Sequence, residues 1–208
     1  MDLRSMTRKI QGRVGVKVDG IYGPQTARAI LANMTETGID LPNALPPEEI
    51  DDHFGKAGEF DKRTEKNLAT LQPKAREKFD PFVRRAIAVA ASMGVTAKVI
   101  CGERDKAAQE EAKAKGASRA GYGYSWHNYG MAIDFGLFVG RSYIDSDDPT
   151  RARAVYQAIG ALAPSYGIEW GGSWKSFVDL PHFQLGNVPK TPTASHRAQL
   201  ANGSFRYV

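Results

Sequence analysis

Apolar residues after residue 60 follow two patterns, and the first has helical spacing. Residues 74–94 show it most clearly, because apolar positions recur every three or four residues before Gly94 ends the run. One face of this predicted helix carries Phe82, Ala86, Ile87 and Ala90. Similar spacing or capping signals predict helices over residues 63–71, 105–116 and 148–167. Asp105 and Asp148 are the expected N-caps of the last two.

The second pattern is a short run rich in apolar and aromatic residues, which is typical of a buried strand. Such runs cover residues 96–101, 131–138, 168–170 and 182–185. Strands and helices mixed along one stretch predict an α+β domain over residues 61–208.

The chain before this domain has a different pattern. In residues 1–35, the turn dipeptides Asp19-Gly20 and Gly23-Pro24 precede a helical repeat, so a small helical segment is expected. Residues 36–60 contain three prolines and three glycines with little periodicity, and they read as a linker.

Composition narrows the class of protein. A 42% hydrophobic and 25% charged chain of 208 residues is typical of globular proteins, and the single cysteine excludes an intrachain disulfide. No run approaches the roughly 18 apolar residues that a membrane-spanning helix needs, so no stable membrane insertion is expected. The net charge of +5 is spread along the chain, which argues against nucleic acid as the partner.

Two segments combine histidine with aspartate. His127 and Asp134 lie in "YSWHNYGMAIDFG", and Asp179 and His182 lie in "FVDLPHFQ". Two histidines and one carboxylate can hold a catalytic zinc ion, and a further carboxylate such as Asp179 can act as general base. The spacing alone leaves an ordinary structural alternative, in which His127 bonds a backbone carbonyl and Asp134 caps a turn.

Several separated pieces of the domain resemble the zinc peptidases of the M15 family. The segment "SWHNYGMAIDFG" is similar to S-x-H-x-x-G-x-A-x-D, and "WGGSWKSFVDLPHF" is similar to W-G-G-x-W-x-x-F-x-D-x-P-H-F. The resemblance implies the small antiparallel sheet of the D,D-peptidase and hedgehog type. It also implies that His127, Asp134 and His182 bind Zn²⁺ and that Asp179 is the catalytic carboxylate. Among M15 members, the chain looks most like the L-alanyl-D-glutamate peptidases used as phage endolysins and wall-remodelling enzymes.

Further site residues follow from the same resemblance. In "CGERDKAAQEE", Arg104 and Gln109 match the family, while Glu103 and Asp105 depart from it. Arg104 is expected to stabilise negative charge on the attacked carbonyl oxygen, and an ordinary ion pair with Glu103 or Asp105 is the alternative.

Residues predicted to bind the substrate lie around these motifs. They are Gln109, Ser125, Trp126 and Trp174. For Ser125 a turn hydroxyl is the alternative, and His196 is expected to be exposed.

The N-terminal segment resembles a peptidoglycan-binding domain in its stretch "VDGIYGPQTARAI". Wall contact would then fall to Asp19, Gly20, Tyr22 and Gly23. Together the two resemblances imply a monomeric peptidoglycan hydrolase that cleaves the L-Ala–D-Glu bond. The N-terminus lacks a secretory signal pattern, so we expect synthesis in the cytoplasm and release to the wall through a holin pore. The alternatives are a D,D-carboxypeptidase or dipeptidase of the same fold and an inactive wall-binding protein.

Overall fold

The computed structural model describes residues 60–207. The predicted N-terminal segment, with Asp19, Gly20, Tyr22 and Gly23, lies outside the described residues, as does the linker up to residue 59. The described helices are α1 Lys62–Leu68, α2 Pro73–Ser92, α3 Lys106–Ala114, α4 Ile144–Asp147, α5 Pro149–Leu162 and α6 Ala194–Ala201. The strands are β1 Thr96–Cys101, β2 Ala132–Val139, β3 Ser142–Tyr143, β4 Ile168–Trp170 and β5 His182–Leu185.

Helix ends follow the predicted capping residues. The Asp105 carboxylate accepts a hydrogen bond from the backbone N–H of Ala108 at 2.8 Å, and α3 begins at the next residue. Asp148 caps α5 in the same way, with Pro149 at the first helical position. The predicted helix over 148–167 ends earlier, at Leu162, because a 3₁₀ turn over Ala163–Tyr166 takes up its last residues.

The strands form one antiparallel sheet, and the predicted α+β class is confirmed. The order is β1-β2-β5-β4, and β3 pairs with β2. In the centre of the sheet, Asp134 of β2 lies opposite His182 of β5. On the other side of β5, Glu169 of β4 lies opposite Gln184.

The helix-facing side of the sheet forms the core. Phe82 of α2 packs against Phe135 of β2 and Phe183 of β5, with ring centroids 6.1 and 5.2 Å apart. All three side chains are fully buried, and burying each contributes about 1.5–3 kcal/mol. Because side chains alternate along a strand, the neighbours Asp134 and His182 face away from α2. The core therefore fixes β2 and β5 in place, and the opposite side of these strands, with Asp134 and His182, is the polar face of the sheet.

Among residues 60–207, no helix combines the length and apolar character needed to cross a membrane.

Candidate metal centre and cleft

His127 lies in a 3₁₀ turn over Trp126–Tyr129 that leads into β2. Ser125 caps the turn, since its hydroxyl accepts a hydrogen bond from the backbone N–H of His127 at 3.4 Å. Gly130 ends the turn at φ 61°, where its absent side chain leaves room for the backbone of Gln72. The predicted loop-to-strand arrangement of His127 and Asp134 is what the structure contains.

Three donor atoms converge on the polar face of the sheet. His127 Nε2 lies 3.1 Å from Asp134 Oδ1 and 3.2 Å from His182 Nδ1. His182 Nδ1 lies 3.2 Å from the same Asp134 oxygen. Around a tetrahedral zinc ion with ligands at about 2.0–2.1 Å, neighbouring ligand atoms are about 3.3 Å apart. The triangle therefore fits three vertices of such an ion and leaves the fourth open.

The opposite nitrogen of each histidine is also occupied. His127 Nδ1 lies 2.7 Å from the carbonyl oxygen of Gly102. His182 Nε2 lies 3.1 Å from Oε1 of Gln184. Partners of this kind fix the orientation of metal-binding imidazoles in proteins. Each histidine thus directs one nitrogen into the triangle.

The pKa values of the three residues follow from burial and mutual contact. Burial lowers the pKa of His127, which favours the neutral imidazole that a metal requires. Burial alone would raise the pKa of Asp134, but the two histidines hold it well below its usual range. Burial also opposes protonation of His182, yet the hydrogen bond and charge of Asp134 raise its pKa overall. The carboxylate is therefore ionised and available as a ligand.

Cys101 offers a second donor set that shares His127 and Asp134. Its sulfur lies 3.7 Å from His127 Nδ1, the nitrogen that faces the Gly102 carbonyl. Burial raises the pKa of the Cys101 thiol to about 12, so it stays protonated. The sulfur thus faces an occupied nitrogen, whereas Nδ1 of His182 meets both His127 Nε2 and Asp134 Oδ1, so His182 is the better third ligand.

Asp179 lies on the same cleft as His182 and Asp134. Burial raises its pKa, and the negative charge of Asp134 raises it further. A carboxylate tuned upward in this way is better suited to accept a proton near neutral pH. The loop that carries it depends on Gly171, because a Cβ there would lie 2.6 Å from the carbonyl oxygen of Asp179.

Arg104 points into the site from the loop after β1. Its terminal nitrogen lies 3.8 Å from Asp134 Oδ2, and the side chain is only 14% exposed. Within residues 60–207, the buried Nε has no hydrogen-bond partner. In the described part of the chain, Arg104 forms its ion pair with Asp134 rather than with the predicted alternatives Glu103 and Asp105. A cation with an unused N–H beside the triangle suits an oxygen that gains negative charge.

The structure places Gln109 behind the cleft. The side chain is fully buried, and its amide donates to the hydroxyl of Ser118 and the carbonyl of Ala120. Its oxygen accepts from Asn128, which also donates to the carbonyl of Arg104. Gln109 therefore supports the loops that carry the site, and it does not offer the contact with substrate that the sequence predicted.

The two predicted tryptophans have different positions. Trp126 lines the cleft but is only 2% exposed, and it donates its indole N–H to the carbonyl of Pro189. The ring of His196 packs against Trp126 at 5.0 Å, and the prediction that His196 is exposed is wrong. Trp174 lines the cleft itself, with its ring centroid 5.1 Å from that of His182.

The cleft has a volume of about 620 Å³ and joins the polar face to the surface. It is lined by the predicted site residues Arg104, Ser125, Trp126, Asp134, Trp174, Asp179 and His182. Its rim adds Arg119, Tyr124, Phe177 and Lys190, which the sequence did not single out. The guanidinium of Arg119 lies 4.4 Å from the ring centroid of Phe177. The opening therefore combines positive charge with exposed aromatic surface.

Two further residues next to the metal triangle were missed from the sequence. Gln184 contacts His182, and Glu169 contacts Gln184 across the pair of strands. Both are polar residues in short runs that read as buried strands. A polar residue two positions after a candidate ligand, and so on the same face, is the signal that would have found Gln184.

Comparisons with known proteins identify the family. A sequence profile of M15 peptidases, described as D-alanyl-D-alanine carboxypeptidase, matches residues 118–185. The chain is 32% identical over 109 residues to the peptidoglycan L-alanyl-D-glutamate endopeptidase CwlK of Bacillus subtilis (strain 168), over 47% of this chain and 65% of CwlK. It is 30% identical to the solved L-Ala D-Glu endopeptidase ChiX of Serratia marcescens, over 61% of this chain and 88% of ChiX, with a TM-score of 0.43. The chain belongs to the M15 peptidase family.

The M15 profile covers the part of the chain that contains the triangle and Asp179, whereas Arg104 precedes it. This M15 chain spans 65% of the length of CwlK, just under two thirds. It is also similar to the vancomycin resistance D,D-dipeptidase VanXYg, with 14% identity over 65% of this chain and 56% of that structure and a TM-score of 0.35.

Proposed function

We propose that the protein is a zinc-dependent peptidase that hydrolyses the L-Ala–D-Glu bond in the stem peptide of bacterial peptidoglycan. The observation that carries the proposal is the triangle of His127 Nε2, Asp134 Oδ1 and His182 Nδ1, with edges of 3.1–3.2 Å. When bound there, zinc would acidify a water molecule towards a pKa of about 7 and polarise the scissile carbonyl.

Asp179 moves the proton in this proposal. Its carboxylate takes a proton from the attacking water and then delivers that proton to the leaving amine, so one group serves both halves of the reaction. Its raised pKa, caused by burial and by Asp134, supports both steps. The guanidinium of Arg104 donates to the carbonyl oxygen as that oxygen becomes negative, because Arg104 lines the cleft with a terminal nitrogen 3.8 Å from Asp134 Oδ2.

The rim of the cleft supports an anionic substrate. Arg119 and Lys190 line the opening together with Tyr124 and Phe177. A D-glutamate joined through its side chain keeps a free α-carboxylate, which positive side chains at the opening would attract. The names of CwlK and ChiX, both L-alanyl-D-glutamate endopeptidases, point to the same bond.

A D,D-carboxypeptidase activity is the second candidate, because the matching profile carries that description. Product analysis separates the two. Purified peptidoglycan is digested with the full chain, and the fragments are analysed by mass spectrometry and by labelling of new amino termini. The proposed function predicts new N-terminal D-glutamate. Release of free D-alanine without new D-glutamate termini would keep the peptidase and reject the bond.

We propose further that residues 1–35 hold the enzyme on the wall, on the basis of the stretch "VDGIYGPQTARAI". Tyr22→Ala in the full chain should lower co-sedimentation with purified walls while hydrolysis of a soluble muropeptide is kept. Equal sedimentation of variant and wild type would remove Tyr22 from wall binding.

Release through a holin pore is the route to the wall that fits the resemblance to endolysins. Expression with a holin should lyse a susceptible host, whereas expression of the chain alone should not. Lysis at the same rate without the holin would reject this route.

A further inference from the structure

A chain of hydrogen bonds runs from His182 to the rim of the cleft. His182 Nε2 lies 3.1 Å from Oε1 of Gln184, and Nε2 of Gln184 donates to Oε2 of Glu169 at 3.2 Å. The other oxygen of Glu169 accepts the indole N–H of Trp174 at 2.6 Å. The four side chains thus form one connected path from the triangle to the cleft wall.

The acceptor oxygens of Glu169 determine which group donates in each hydrogen bond of this path. An ionised carboxylate only accepts hydrogen bonds, so Glu169 requires the NH₂ group of Gln184 on its side. The amide oxygen of Gln184 then has to face His182. Because that oxygen only accepts, the imidazole must carry a proton on Nε2, and in the neutral form Nδ1 then keeps its lone pair. Nδ1 is the atom that belongs to the triangle.

The register of the sheet brings these residues together. Glu169 and Gln184 are directly opposite each other on β4 and β5, and His182 is two residues before Gln184 on the same face. Gln184 is 2% exposed and His182 is 6% exposed, so water has little access to either side chain. A wrong amide orientation would set two donors or two acceptors against each other without solvent to satisfy them.

We propose that Glu169 and Gln184 are positioning residues that fix His182 in the tautomer with Nδ1 free for the metal, and that Trp174 occupies the second oxygen of Glu169. This inference rests on the proposed metal site. It gives Trp174 a role in the site that is separate from contact with substrate.

The number of acceptors explains why a glutamate is needed at position 169. Its two oxygens serve two donors, one from Gln184 and one from Trp174. A glutamine at this position has one oxygen and one NH₂ group, so it can serve only one of them. In Glu169→Gln, one donor faces another donor, and rotation of the Gln184 amide relieves the conflict. The rotated amide donates to His182 and favours the tautomer that cannot use Nδ1.

The test measures the zinc dissociation constant of the full chain by competition with a chromogenic chelator. Glu169→Gln should weaken zinc binding about 10- to 100-fold, the usual effect of losing a partner behind a ligand. Trp174→Phe should leave the constant unchanged, because Gln184 keeps its acceptor. The double variant Glu169→Gln/Trp174→Phe should recover most of the loss, because the single oxygen of the new glutamine then serves Gln184 alone. Glu111→Gln, at an exposed ion pair with Lys115, is the matched control.

A spectroscopic readout on zinc-free protein makes the test independent of catalysis. Long-range ¹H–¹⁵N correlation spectra distinguish the two neutral tautomers of His182. Wild type should carry a proton on Nε2, where Gln184 accepts it, and Glu169→Gln should lower the share of His182 that is protonated at Nε2.

Unchanged zinc affinity in Glu169→Gln, or no recovery in the double variant, would overturn the inference. An unchanged tautomer in Glu169→Gln would overturn it as well. Failure of the proposed function would look different, since wild type itself would then bind no zinc or leave the stem peptide uncut while the tautomer still responded to position 169.

Discussion

Arg104 contributes a buried cation whose Nε, in the described part of the chain, has no hydrogen-bond partner. The distance from its terminal nitrogen to Asp134 Oδ2 is 3.8 Å, which is long for an ion pair. The guanidinium can therefore still donate a hydrogen bond to another oxygen. Arg104→Gln should therefore lower kcat about 100-fold or more with little change in KM, because the lost donor acts mainly on the developing charge. Steady-state kinetics on a soluble muropeptide measure kcat and KM separately, and zinc content is determined on the same sample.

Arg141→Gln is the control for Arg104, since Arg141 is an exposed residue outside the lining of the cleft. A rise in KM at unchanged kcat would assign Arg104 to substrate binding and contradict its proposed role.

Individual residues differ in how closely their positions match the sequence-based expectations. His127, Asp134 and His182 meet as the M15 resemblance implied, and Asp179 shares their cleft. Gln109 also matched the family, yet it is fully buried against the 118–120 loop. A match to a motif gives the residue type but not its contacts, and those depend on loops that pack from elsewhere in the chain.

Among the elements, the connection between β4 and β5, residues 171–181, controls the position of Asp179. Gly171 lies where a Cβ would be 2.6 Å from the Asp179 carbonyl oxygen and 3.1 Å from the Cβ of His182. Gly171→Ala should displace this loop and lower hydrolysis at least 10-fold, because small misplacements of a catalytic group are costly. Activity and thermal unfolding measured side by side test this.

Gly121→Ala is the matched control for Gly171, because the nearest atom to a Cβ at Gly121 is 3.8 Å away, at the amine of Lys113. Full activity in Gly171→Ala would show that the loop adjusts without moving Asp179.

The longer elements were predictable because their signals are local. Helices α3 and α5 begin directly after the predicted caps Asp105 and Asp148. The predicted strands at 96–101, 168–170 and 182–185 have the observed bounds. The sequence predicts no helix or strand over residues 142–147, because β3 and α4 are too short for their apolar residues to show a periodic spacing. The pairing of Glu169 with Gln184 could not be predicted from the sequence, because the register of two strands depends on tertiary packing.

Across the whole described domain, the cleft opens between basic and aromatic side chains. Arg119 stacks on Phe177, and Lys190 bonds the hydroxyl of Ser176 at 3.3 Å. Arg119→Ala and Lys190→Ala should each raise KM for muropeptides about 2- to 5-fold at low salt, as expected for partly exposed ion pairs worth up to about 1 kcal/mol. The effect should fade as ionic strength rises.

Measuring KM at low and at high salt tests whether Arg119 and Lys190 attract the substrate through their charge. Arg153→Ala, an exposed charge outside the lining of the cleft, provides the comparison. The same change in KM for all three variants would show that net charge, and not the rim, attracts the substrate.

The central claim is that His127, Asp134 and His182 hold zinc while Asp179 transfers the proton. The most direct measurement is zinc content and muropeptide hydrolysis on one preparation of wild type and of Asp179→Asn, with Asp147→Asn as an exposed control. The predicted result is one zinc per chain in all three proteins, with hydrolysis in Asp179→Asn reduced about 100- to 10,000-fold. Wild type that holds no zinc, or Asp179→Asn that hydrolyses at the wild-type rate, would contradict the claim.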